Sequence, residues 1–305
     1  MRRGKVVSIG TFDGVHLGHQ AILRELGHQA RTHTLSTLAY AFSVPPRWIK
    51  SDGDDRFLLL PASVKQSLLR QSVDVVQTAS FETVRSMTPE EFANTVLIEQ
   101  IHARVVVEGE TFRFGRDRSG DLGTLKSLGA QLGFDVVGVP PIMIDGAAAS
   151  STRIRESIRI GDLATARACL GRSPILLGRV VRGDQIGRKL GYPTANLAID
   201  PHVLLPSAGI FLIHAYGSQA RFNGLLYVGS RPTLGGRDLR CEVHLLDFPN
   251  RPLYDDVLEI HLLERIRDDL TLPSLGALRS QIEADIEIAR QLLSDYAIGE
   301  QRISS

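Results

Sequence analysis

Apolar residues follow two different rhythms along the chain, and the rhythm changes near residue 173. In the first half, short apolar runs alternate with stretches in which apolar residues recur at three- and four-residue steps. Lys5–Ile9 reads as a buried strand that passes into a helix carrying Ala21, Ile22, Leu23 and Leu26. Thr34–Phe42 reads as a second strand, ending at Val44-Pro45-Pro46, and a loop with Ser51-Asp52-Gly53-Asp54-Asp55 follows. A helix over 62–71 and a β-rich run over Val73–Gln77 come next. Another helix starts at Thr88, where Pro89 suits the first helical position and Glu90 and Glu91 suit the positive end of the helix dipole. Val105-Val106-Val107 reads as a buried strand, Asp121–Leu132 as a helix and Phe134–Val139 as a strand. Such alternation predicts an α/β domain with a parallel sheet covered by helices.

Two short helical patterns, Arg153–Ile160 and Asp162–Cys169, close at Leu170-Gly171-Arg172-Ser173-Pro174, a helix stop and the expected domain boundary. Beyond it the pattern is β: Ile175–Val181, Gly209–Tyr216, Gly224–Val228, Arg240–Leu246 and Val257–Leu263. Short strands at this spacing predict a small antiparallel barrel. The last element is a helix in which Leu275, Leu278, Ile282, Ile286, Ala289 and Leu293 form an apolar stripe. That leaves Glu283, Asp285 and Glu287 facing outward.

Composition narrows the functional classes. With 305 residues, 43% of them hydrophobic, the chain can supply a core to each of two domains. Lysine and arginine number 35 against 34 acidic residues without a long single-sign run, so neither a nucleic-acid footprint nor a polybasic membrane anchor is expected. Cys169 and Cys241 lie far apart without metal or redox spacing and read as reduced, buried thiols. No segment approaches the ~20 apolar residues of a membrane span; the best, Val136–Ile144, is broken by Pro140 and Pro141. A cytoplasmic protein acting on small molecules, monomeric or a weak homo-oligomer, is expected.

Five stretches carry candidate chemistry. The first, Gly10-Thr11-Phe12-Asp13-Gly14-Val15-His16-Leu17-Gly18-His19, falls where a buried strand becomes a helix. A glycine-rich turn there lets the backbone approach an anion, and the following helix offers unpaired N–H groups. His16 and His19 are three apart and can both face phosphoryl oxygens that gain charge during transfer. An ordinary turn with two surface or core histidines is the plain alternative, and a zinc site is a third with poor ligand spacing. The density of Gly10, Asp13, Gly14, His16, Gly18 and His19 favours phosphate.

In the second stretch, Glu108–Arg116, Gly109 gives mobility, Arg113 and Arg116 can meet phosphate, and Phe112 or Phe114 can stack on a ring. A surface loop with one phenylalanine in the core fits as well. In the third, the hydroxyls of Ser150, Ser151 and Thr152 can cap a helix and bind phosphate, with Arg153 and Arg155 as cations. A plain cap with surface arginines is the alternative. The fourth runs Gly183-Asp184-Gln185-Ile186-Gly187-Arg188-Lys189-Leu190-Gly191-Tyr192-Pro193-Thr194-Ala195-Asn196. It can fold over phosphates, while Thr194 and Asn196 offer neutral oxygens to a Mg2+ held mainly by nucleotide phosphates. In the fifth, strand alternation puts Glu242 on one face with His244, where a carboxylate can accept the proton of an attacking hydroxyl. A solvated strand glutamate is the alternative.

Together these motifs resemble the bacterial bifunctional riboflavin kinase/FAD synthetase family, and the resemblance runs through both halves in order. Phe12–His19 resembles the His-x-Gly-His signature of nucleotidyltransferases, Ser150–Arg155 the Ser-Ser-Thr-x-Ile-Arg signature, and Gly183–Asn196 the flavokinase signature ending in Pro-Thr-Ala-Asn. Cys241–Phe248 is similar to the family's Glu-x-His-x-Leu-Asp-Phe segment. The resemblance implies a Rossmann-like FMN adenylyltransferase domain over 1–172 and a riboflavin kinase barrel over 173–305. It further implies ATP, riboflavin, FMN and FAD as substrates or products, Mg2+ as cofactor, and Glu242 as kinase base. His16, His19 and Arg153 would serve adenylyl transfer, and Arg267 the flavin side. Several positions depart from the family pattern: Thr111 replaces Asp or Asn, Tyr227 replaces Asn, Leu234 replaces Phe, and Asp268–Leu272 differ from the usual Arg-x-Glu-x-x-Phe run. A relative keeping one activity or using another phosphorylated acceptor, and a non-catalytic flavin or nucleotide sensor, are the rival readings.

Overall fold

Five apolar runs of the first half lie side by side in one parallel sheet. The structure, a computed structural model, describes residues 4–43, 56–183, 187, 190–218, 220–233, 236–249 and 253–296. By its internal contacts the chain divides into one unit of residues 1–54 with 62–151, and a second of residues 55–61 with 152–305.

In the first unit β1 (Lys5–Gly10) leads into α1 (Leu17–His33), β2 (Ser36–Phe42), α2 (Ala62–Arg70) and β3 (Val75–Ala79). Then follow α3 (Pro89–Phe92), a π-helical stretch (Ala93–Ile101), β4 (Ala103–Gly109), the two-residue strands β5 (Arg113–Phe114) and β6 (Gly120–Asp121), α4 (Leu122–Leu132) and β7 (Asp135–Val139). A small hairpin of β8 (Met143–Ile144) and β9 (Ala147–Ala148) ends the unit. The sheet order is β3-β2-β1-β4-β7, every pair parallel. Val6, Val7, Val105, Val106 and Val107 are buried because the two central strands are covered on both faces. The helix expected from Thr88 starts there, and Thr88 and Glu91 form a full capping box. This helix runs on as the π-helical stretch, whose buried residues Ala93, Val96, Leu97 and Ile101 keep the three- and four-residue spacing of one helix face. Thr34, expected in a strand, instead closes α1 in the left-handed conformation.

The second unit holds α5 (Ser151–Ile160) from Thr152 onward, α6 (Leu163–Leu170) and six strands: β10 (Ile175–Val181), β11 (Ala195–Ile199), β12 (Gly209–Tyr216), β13 (Arg221–Thr233), β14 (Gly236–Leu245) and β15 (Val257–Asp268). They close an antiparallel barrel in the order β10-β11-β14-β13-β12-β15. Phe211, Ile213, Leu226, Val243 and Ile260 belong to its core. β11 was not among the expected strands; its first residues belong to a motif read as a loop.

The final helix, α7 (Leu275–Leu292), corrects one expectation. Asp285 does not face outward but is buried, and Leu275, placed on the packing stripe, is 63% exposed. Position 285 lies three residues after Ile282 and four before Ala289, so helical geometry puts it on the stripe.

Candidate active sites

In the first unit the chain builds β1, β2 and β3 toward one edge and then β4 and β7 toward the other, so the order reverses between β1 and β4. Open parallel sheets bind ligands outside the carboxyl ends of their strands at such a point. The ladder between β1 and β4 ends at Val7 and Val106. Beyond it, the Glu108 carboxylate accepts hydrogen bonds from the Ile9 N–H and, at 3.3 Å, from the Ser8 hydroxyl. Glu108 is 2% exposed, and burial pushes its carboxyl well above the usual carboxylate range, against the pull of these two donors.

The turn after β1 is tightly built. Phe12 and Val15 have positive φ, 49° and 40°, as does Gly14 at 82°. Phe12, Asp13, Gly14, Val15 and His16 are all buried. His16 is the N-cap of α1, and its Nδ1 accepts from the His19 N–H at 3.4 Å. With Nδ1 accepting, a neutral His16 ring carries its proton on Nε2. The His16 and His19 rings stack with centroids 3.7 Å apart, and Phe12 lies 5.4 Å from His19. Gly18 packs on His16: an added Cβ would fall 3.0 Å from the ring. Ser151 Oγ donates to the Asp13 carbonyl at 2.8 Å, joining the first and third motifs. From α2, Lys65 donates to the carbonyls of Phe42 at 2.8 Å, Thr11 at 3.2 Å and Ser43 at 3.3 Å. Burial lowers the Lys65 pKa, and the charge of Asp13 offsets part of that shift.

At the end of β4, Gly109 abuts Ile22 of α1, and Arg113 is exposed. Phe114 belongs to the core and Phe112 stacks on it at 5.6 Å. In the second unit Arg153 is partly exposed, whereas Arg155 is buried, with its Nε donating to the Phe57 carbonyl at 2.9 Å and its guanidinium 3.8 Å above the Phe57 ring.

On the barrel, two adjoining cavities meet along the Thr194–Asn196 segment. The smaller, about 270 Å³, is walled by Leu190, Ile210, Leu225, Leu278 and Ile282, with Thr194, Asn196, Tyr227, Glu242 and Arg267 as polar groups. The larger, about 900 Å³, shares Tyr192, Thr194, Asn196 and His244 and extends over Gly183, Gly191, Pro193, Phe248, Tyr254 and Arg290. Glu242 of β14 stands opposite Asn196 of β11 and Tyr227 of β13. Thr194 Oγ1 donates to Glu242 Oε2 at 3.1 Å, and His244 Nδ1 meets the Pro193 carbonyl at 3.0 Å. A Cβ at 183 would run into the Asn196 side-chain amide, and one at 187 into the Tyr192 carbonyl, so both glycines allow close approach to this segment. Arg188 lies outside the described residues, as do Val44–Pro46, the 51–55 loop and Leu234.

Arg267 is held in a two-point ion pair with buried Asp285: Nε to Oδ1 and Nη2 to Oδ2, both at 2.8 Å. Its Nη1 donates to the Asp268 carbonyl. The Tyr227 hydroxyl donates to Asp269 at 3.2 Å, and burial, reinforced by Asp269 and Glu242, raises its pKa. Lys65, Glu108 and Asp285 were not singled out from the sequence as site residues. A charged side chain on an apolar stripe, or straight after a fully buried strand, was the available signal.

The FAD synthetase family model matches residues 1–153, and the riboflavin kinase family model matches residues 170–293. The chain is 34% identical to a bifunctional riboflavin kinase/FMN adenylyltransferase of Pseudomonas fluorescens, over 97% of this chain and 95% of that protein. It is 33% identical to the protein of that name from Haemophilus influenzae, over 94% of each. It is 32% identical to that of Escherichia coli K12, over 95% and 93%. A crystal structure from Streptococcus pneumoniae titled a macrolide-efflux protein superposes with a TM-score of 0.87 at 30% identity, over 95% of both chains. No described helix is long and apolar enough to cross a membrane.

Proposed function

The chain belongs to the bifunctional riboflavin kinase/FMN adenylyltransferase family and makes FMN from riboflavin and ATP, then FAD from FMN and ATP; we propose that the two sites above divide this work. Residues 1–172 carry adenylyl transfer and residues 173–305 the kinase, with α5 and its signature assigned to the former. The observation that carries the kinase reading is the Thr194–Glu242 hydrogen bond beside the wall that the two cavities share.

In this reading riboflavin occupies the smaller, apolar cavity and ATP the larger. Glu242 takes the proton of the ribityl 5′-hydroxyl as its oxygen bonds to the γ-phosphorus and ADP leaves. The Thr194 hydroxyl and Asn196 amide are hard oxygen donors that suit Mg2+, and their number fits an ion held mostly by phosphates. Bound there, Mg2+ would neutralise charge on the β- and γ-phosphoryl oxygens. Gly183, Gly187, Arg188, Gly191 and Pro193 belong to the phosphate loop, and Arg267 to the flavin side.

For adenylyl transfer the FMN phosphate is ionised near neutral pH, so it attacks the α-phosphorus of ATP without a strong base, and pyrophosphate leaves. The turn of Gly10, Phe12, Asp13, Gly14 and Gly18 carries His16 and His19, which donate to the transferring phosphate. By their signatures Ser150, Ser151, Thr152 and Arg153 are assigned to phosphate binding in the same reaction, as are Gly109 and Arg113; Arg155 belongs to the Ser150–Arg155 signature but is packed on Phe57. A cytoplasmic enzyme, monomeric or weakly oligomeric, with no nucleic-acid or membrane partner, completes the proposal.

Chromatography of flavins formed from riboflavin, ATP and Mg2+ tests it. Glu242→Ala should lower FMN formation about 100-fold or more, while FAD still forms from supplied FMN. Retained FMN formation, or equal loss of both reactions, would overturn the assignment.

A further inference from the structure

We propose that Lys65 is a positioning residue for adenylyl transfer: from α2 it fixes the ends of β1 and β2, and through them the turn that presents His16 and His19. The inference rests on the assignment of FAD formation to that turn. Lys65 is 7% exposed and sits on the buried stripe of its helix with Val64 and Leu69. A lysine there displaces an apolar side chain and must satisfy three donors. It does so on three backbone carbonyls, Thr11, Phe42 and Ser43, at the carboxyl ends of two neighbouring strands. One ammonium thus replaces the sheet hydrogen bonds that end where β1 and β2 run out.

What lies beyond Thr11 gives this tie its purpose. Phe12 and Val15 are held at positive φ, and for a β-branched residue this conformation persists only when its surroundings over-determine it. Buried Asp13 is a charge partner of Lys65, and its carbonyl is tied from the other side by Ser151. Five residues after Thr11 comes His16, whose ring caps α1 and stacks on His19. A shift at Thr11 is therefore carried into the direction of both imidazoles. Lys65 meets the turn through the Thr11 carbonyl and the charge of Asp13, so it acts through the turn.

Lys65→Met and Lys65→Gln, in the full-length protein, test the proposal. FAD formation from supplied FMN is measured for kcat and for the KM of ATP and FMN. Riboflavin phosphorylation by the same molecules reports the fold of the second unit, and the imidazole NMR signals of His16 and His19 report the turn. Misplaced transition-state donors predict a kcat lowered about 10- to 100-fold, KM values within about threefold, moved His16 and His19 signals and an unchanged kinase. Unchanged kcat with only a lower melting temperature would overturn the proposal, as would a raised KM at constant kcat. Failure of both variants to fold would count against it too, by making Lys65 purely structural. If His16→Ala leaves FAD formation intact, the assignment of the site fails instead, whatever the lysine variants do.

Discussion

Asp285 is the residue at which stability and the kinase cavity meet. Its carboxylate is 2% exposed and accepts two hydrogen bonds from Arg267 and one from Gln281 at 2.9 Å. Asp285→Asn keeps the shape but removes the charge, and whichever way the amide is turned, its NH2 faces a donor. Breaking a buried pair from one side costs about 3–5 kcal/mol; the Arg267 side chain is 19% exposed, so water recovers part and the low end, about 3 kcal/mol, applies. For a unit of this size that lowers the melting temperature by roughly 6–12 °C. Because α7 also brings Leu278 and Ile282 to the cavity wall, the KM for riboflavin should rise while kcat changes less.

Denaturant unfolding and steady-state kinase assays of Asp285→Asn, Arg267→Met and the double variant Asp285→Leu/Arg267→Met separate two roles. If Arg267 serves the flavin only by holding α7, both single variants raise KM equally and the apolar double variant recovers much of the stability. If its guanidinium also meets the flavin, Arg267→Met raises KM further and the double variant does not restore it. A stability change below about 0.5 kcal/mol in Asp285→Asn, within the range of an ordinary surface substitution, would refute the reasoning.

Two further outcomes follow from buried or half-buried titrating groups. The folded state holds a proton on Glu108 above the ordinary value of 4.5, where the unfolded chain has released it, so stability falls as pH rises from there through the raised value. Glu108→Gln still offers an oxygen to Ile9 and Ser8 but cannot ionise, and should gain on the wild type as pH rises; parallel denaturant midpoints across that range would show that Glu108 titrates as an ordinary carboxylate. Tyr227→Phe removes the hydroxyl that reaches exposed Asp269 and should cost under about 1 kcal/mol. Its effect should appear in the KM for riboflavin, and an unchanged KM would mean that the Tyr227–Asp269 contact does not shape the cavity.

The layers of the fold were legible because apolar rhythm reports them directly. The β-branched run Val105–Val107 reads as a buried strand and is one, and Ile175–Val181 and Gly209–Tyr216 occur as read. What failed has a physical cause in each case. β11 begins inside a glycine- and proline-rich motif whose residues are chosen for a cavity wall, so its pattern is not that of a half-buried strand. Asp285 was read outward because it is charged, although its position on the helix says otherwise. The phosphate motifs were visible because glycine, histidine and hydroxyl residues cluster in sequence, whereas Lys65 and Glu108 are brought beside the His16 turn from elements far along the chain.

The two reactions make different demands on their sites, and the ionisable groups are distributed accordingly. A hydroxyl acceptor must lose its proton as it attacks, and in the proposed assignment it does so to Glu242, a partly exposed carboxylate hydrogen-bonded to Thr194. A phosphate acceptor arrives with its nucleophilic oxygen already ionised, so the demand is for donors held in place. In the first unit two buried ionisable side chains beside the turn bind main chain: Glu108 takes the Ile9 N–H that β4 no longer pairs, and Lys65 takes the carbonyls left where β1 and β2 end. Because β1 lies between β2 and β4, its carboxyl end is braced on both sides by side chains that are themselves buried. Such bracing suits a site whose contribution is preorganisation rather than proton transfer. It follows that substitutions at Glu242 should act on a proton-transfer step, whereas those at Lys65 should act on the placement of His16 and His19.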